Sequence, residues 1–162
     1  MPRTVSAIRG ALYTRLTSPP LTYTIDQGAP LTLPATSVFP RAVYEPGPHG
    51  SNVVFPAAFI DVRSGAPVSR HLLNVLKVSG TIWAVSSVGP SEATAIADAI
   101  SARLDFADDD PIWQADDMSA DGTGAKLPIL FHQWKRTRYS GAGYESTTNK
   151  WYVTMEYDGV VQ

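Results

Sequence analysis

The chain has 162 residues, with 13 Lys and Arg against 15 Asp and Glu, a formal net charge of -2 and a charged fraction of only 17%. That balance lacks the cationic coat through which nucleic-acid binders neutralise phosphates. Cysteine is absent, which excludes disulfides, thiolate chemistry and cysteine-ligated zinc or iron–sulfur centres.

An apolar fraction of 44% supplies one ordinary core at this length, so a single domain over residues 1–162 is expected. Arg9 and Arg15 interrupt the apolar N-terminal stretch, unlike the unbroken apolar region of a signal peptide. No run approaches the ~20 apolar residues that span a bilayer. A soluble protein without a membrane partner is expected.

Val5, Ile8, Ala11, Leu12 and Leu16 recur at spacings of three and four, which predicts a helix over 5–16. Thr4 is placed to cap it, and Ser18-Pro19-Pro20 to end it. Residues 17–52 form a proline-rich loop insert, with an edge strand possible from Val38 to Tyr44 and a turn at 45–50.

A strand follows over 53–62, with Phe55, Ala57 and Phe59 on one face and Val54, Ala58, Ile60 and Val62 on the other. Pro56 weakens its start, because proline has no amide hydrogen. Residues 63–71 are predicted as a turn, and 72–85 as a long strand. In that strand Leu72, Leu76, Val78, Ile82 and Ala84 form the core face, and Gly80 marks a possible bulge. A link of about nine residues is too short for a helical crossover, so the two strands should be antiparallel.

Gly89-Pro90 opens the clearest helix, 90–104, with Glu92 in the first turn and Arg103 in the last. Ala93, Ile96, Ala97, Ile100 and Leu104 form a narrow stripe that allows close approach to a sheet. The following acidic stretch, 105–121, has no Lys or Arg and contains a possible short strand at Ile112-Trp113. Asp121–Gly124 is a turn, 126–139 a strand, Gly141–Gly143 a hairpin loop, and 150–157 a strand with clean alternation. The expected fold class is α+β, with one mostly antiparallel sheet of four to five strands packed against two helices.

No motif for bond chemistry emerges. His49, His71 and His132 lack metal-binding spacings. Aligning Asp117, Ser119, Asp121 and Gly122 to a calcium loop puts Pro128 where the bidentate glutamate belongs. There is no G-x-S-x-G elbow and no phosphate loop in a strand–turn–helix context. No catalytic residue, metal or cofactor is therefore expected.

Two segments stand out as candidate interfaces. One is the acidic stretch, with Asp108, Asp109, Asp110, Trp113, Asp116 and Asp117. The other is the cationic, aromatic run Trp134, Lys135, Arg136, Arg138 and Tyr139. Trp, Tyr and Arg are the residue types enriched at the hot spots of protein interfaces, and the acidic stretch makes a negative patch that could meet a cationic partner. The same run could also be an exposed strand end whose long side chains cover apolar neighbours.

Ala7–Leu16, Val43-Tyr44 with Phe55–Phe59, Val78–Trp83, and Glu92-Ala93 with Ile96–Ile100 down to Leu104 together carry a family likeness. In this order they resemble the tail-terminator or tail-completion proteins of long-tailed bacteriophages, across roughly residues 5 to 104. The resemblance implies a structural virion subunit, assembled in the host cytoplasm, that forms a homo-oligomeric ring, commonly a hexamer. Such a ring caps the tail tube protein and docks a head-neck connector protein, while genomic DNA passes through its lumen without specific binding. Related neck connectors and minor tail proteins share this pattern and are the alternative reading. A small-molecule-binding domain or an enzyme is the further alternative.

Overall fold

The computed structural model describes residues 5–42, 53–71, 75–105, 113–116 and 128–162. Expectations for Thr4, residues 43–50, 72–74, Ile112 and the Asp121–Gly124 turn lie outside the described residues.

Helix α1 spans Val5–Thr17 and buries Ile8, Ala11, Leu12 and Leu16, the stripe its spacing defines. Helix α2 spans Pro90–Leu104 and buries Ala93, Ile96, Ala97, Ile100 and Leu104. Neither helix is long and apolar enough to cross a membrane.

The two helices end side by side. Arg103 Nη1 donates to the carbonyls of Arg15 and Leu16, both at 3.4 Å, and to that of Pro19. Arg15 Nε returns a bond to the Arg103 carbonyl at 3.4 Å. Each arginine thereby serves carbonyls that the end of the other helix leaves unpaired. Burial, and secondly the nearby Arg15, pulls the Arg103 pKa below its ordinary value.

The main sheet has seven strands: β3 (Val38–Phe39), β4 (Ala57–Pro67), β5 (Leu76–Ser86), β6 (Trp113–Asp116), β7 (Pro128–Tyr139), β8 (Gly143–Glu145) and β9 (Lys150–Val161). Their order is β3-β4-β5-β9-β7-β6, with β8 also paired to β9. The β3–β4 pair is parallel and the others are antiparallel. The α+β class and the two helices match the expectation, but the sheet is larger than the four to five strands expected.

The proline-rich insert is not all loop. It holds a separate hairpin, β1 (Leu21–Tyr23) paired to β2 (Leu31–Leu33). These strands are three residues each and fit between Pro20, Pro30 and Pro34, so no proline has to donate within the ladder. Leu21, Tyr23 and Leu33 are buried and carry the hairpin against α2. Among the described residues, the edge strand expected over 38–44 keeps Val38 and Phe39 and stops at Pro40.

Two further boundaries move. Strand β4 starts after Pro56 rather than at Val53, and it runs on to Pro67 through the predicted turn. Its end carries the turn-like Gly65-Ala66-Pro67, yet the backbone stays paired to β5 as far as Ser64↔Val78 and, after a register shift, again at Pro67↔Leu76. Gly80 makes no bulge, because its pairings to Val62 and Tyr157 continue the register on both sides.

Both helices pack on one face of the sheet. There Ile60, Val62, Val78, Ile82, Val153 and Met155 join the helical stripes in one core. The opposite face has a smaller apolar cluster at one end, where Ala57, Phe59 and Val85 are buried beneath Phe39, Phe55, Trp83 and Tyr152.

Candidate assembly surface

Strand β7 carries the cationic, aromatic run, and two irregularities divide it. Phe131 pairs with Val161 and Gln133 with Val160, so the extra residue between them reverses the alternation of side chains. Trp134 therefore turns into the core, where it is 2% exposed. It stacks on Tyr157 at 5.4 Å between ring centroids and meets Phe131 edge-on at 5.7 Å. Its indole Nε1 is buried with no acceptor among the described residues. Trp134 is thus a core residue rather than part of a contact surface.

A second shift lies between Arg136 and Arg138. It leaves both Arg136 and Tyr139 facing α2. Arg136 Nη1 donates to Ser101 Oγ at 2.6 Å, and Nη2 lies 3.5 Å from Asp105 Oδ2. The same guanidinium sits 5.1 Å from the centre of the Tyr139 ring. Tyr139 donates to Asp98 Oδ1 at 3.1 Å, and Tyr157 to Asp105 Oδ1 at 3.1 Å.

Asp98, Ser101 and Asp105 fall at spacings of three and four, so α2 has a polar stripe beside its apolar one. The helix is clasped to β7 and β9 through that stripe. Burial, and secondly Asp105, raises the Tyr157 pKa; burial, and secondly Asp98, raises that of Tyr139. Both phenols stay protonated near neutral pH and serve as donors to carboxylates. The cluster anchors the helix and holds no phenolate nucleophile.

Lys135 and Arg138 remain on the outside. Lys135 is exposed, and the Arg138 side chain is 70% exposed, 3.8 Å from Glu156. Such a pair contributes little in water. Registers across the sheet align Arg63, Ser79, Asp158 and Lys135 in one row and Asp61, Thr81, Glu156 and Arg138 in the next. Acidic and basic side chains are therefore mixed on this face.

The acidic partner segment is described only where β6 pairs with β7, with Trp113 opposite Phe131 and Asp116 opposite Pro128. Asp108, Asp109, Asp110 and Asp117 lie outside the described residues. His71 follows β4 in an exposed turn, and His49 lies outside the described residues. Among the described residues no three His, Asp or Glu side chains group as a metal site would need.

Sequence reasoning missed one buried polar cluster. Glu92 is 7% exposed. Its carboxylate accepts from Ser86 Oγ, and from Tyr23 Oη at 3.3 Å. Ser86 Oγ in turn accepts from the amides of Val88 at 3.0 Å and Gly89 at 3.3 Å, just ahead of α2. The signal was a serine shortly before a helix with Glu at its third residue, a relative of the capping box. Burial, and secondly Glu92, pushes the Tyr23 pKa up to about 12. This cluster joins the β1–β2 hairpin, the end of β5 and the start of α2, and with Glu92 already holding two hydroxyl donors it is built to bind structure together.

Comparison with protein-family models and with curated proteins finds no match.

Proposed function

We propose that the chain is a structural virion subunit that forms a ring on the head-proximal end of a phage tail tube and joins the tail to the head–neck. One observation carries this reading: α1 and α2 both pack on one face of the seven-stranded sheet, so that among the described residues no helix covers the other. That face displays Lys135 and Arg138 outward. A subunit in a rotationally closed ring needs two unlike surfaces, and a sheet with one covered and one open face supplies them.

The segments that carry the tail-terminator resemblance give further support. Those that lie within the described residues fall on α1, the start of β4 with the two residues before it, the middle of β5 and α2, which together frame the core. In this reading the polar clusters hold elements together, and the protein acts through contact rather than turnover.

The test is a native mass measurement of the purified protein, followed by electron microscopy with and without tail tubes. A closed ring seated on tube ends is the expected result. A strictly monomeric protein, even with tubes present, would overturn the reading.

A further inference from the structure

We draw no further inference here: the strongest candidate, the aromatic corner of Phe39, Phe55, Phe59, Trp83 and Tyr152 on the sheet face opposite the helices, carries none because nothing in the structure shows what covers it.

Discussion

Trp134 lies against the backbone of Gly80, so closely that a Cβ on residue 80 would stand 2.8 Å from Cη2 of the indole and 3.2 Å from Cζ2. The two residues are on strands separated by β9, and the indole bridges that gap over the sheet. The ring has little room to retreat, because Tyr157 stacks on it and Phe131 meets its side. Gly80→Ala should therefore destabilise the fold by about 1–3 kcal/mol, the usual cost of overpacking a tight core. In a Trp134→Phe background the shorter ring relieves the clash, and the same substitution should become nearly neutral. Denaturant unfolding of the four proteins in this cycle measures the coupling. Equal losses in both backgrounds would show that the contact is not what requires glycine.

The carboxylate of Glu92 is the single acceptor shared by Ser86 and Tyr23. Glu92→Ala leaves two hydroxyls without that partner and should cost roughly 1.5–3 kcal/mol. Tyr23→Phe removes one neutral donor and should cost less, about 0.5–1.5 kcal/mol. Because Tyr23 belongs to the hairpin, both variants should expose the loop between β1 and β2 to limited proteolysis before the rest of the domain. Cleavage at the wild-type rate in Glu92→Ala would mean that apolar packing alone seats the hairpin.

Three phenols resist ionisation in the folded protein. Tyr23 is pushed up to about 12 by burial and Glu92, and Tyr139 and Tyr157 are also raised, each chiefly by burial. A folded pKa above the unfolded value of about 10 gives stability that is fully present below that pH. It is lost as pH rises through the folded values. Thermal unfolding midpoints should therefore fall progressively above about pH 10, with these phenolates appearing as the fold opens. Tyr23→Phe should flatten the part of the decline between about pH 10 and 12. Phenolate absorbance that rises to completion near pH 10 with the fold intact would contradict this.

Legibility followed the physics of each element. Helix α2 could be placed to the residue, because Pro90, Glu92, Arg103 and a continuous stripe all agree. Strand β9 was visible from its alternation, although its last residues were not, since Asp158-Gly159 looks like a turn until Gly159 is seen opposite Trp134 and Val78. The outer half of β4 was hidden because Gly65-Ala66-Pro67 carries turn signals, while the pairing of its backbone to β5 leaves no mark in the sequence. The orientation of β7 could not be read from parity. One extra residue near His132 reverses the alternation, a second irregularity between Arg136 and Arg138 reverses it again, and neither leaves a trace in composition. Arg136 and Tyr139 therefore looked like surface residues, although the stripe Asp98, Ser101 and Asp105 that receives them was present in the sequence all along.

The division of the β7 cations gives the sharpest test of the proposed assembly. Arg136 holds Ser101 and Asp105 within the subunit, whereas Lys135 and Arg138 project from the open face. Arg136→Ala should lower stability by about 1–3 kcal/mol through loss of charge-assisted bonds to α2, and any loss of assembly would follow from that damage. Lys135→Glu with Arg138→Glu should leave unfolding within about 0.5 kcal/mol of wild type, as exposed substitutions usually do. If the open face contributes to the ring, the same double variant should shift its oligomer mass toward the monomer at low protein concentration. Raising the ionic strength should weaken the wild-type ring in the same direction, because contacts between exposed charges are screened. An unchanged ring in the double variant would remove these two cations from the interface while leaving the oligomer itself intact, so the contact would have to be sought on another surface.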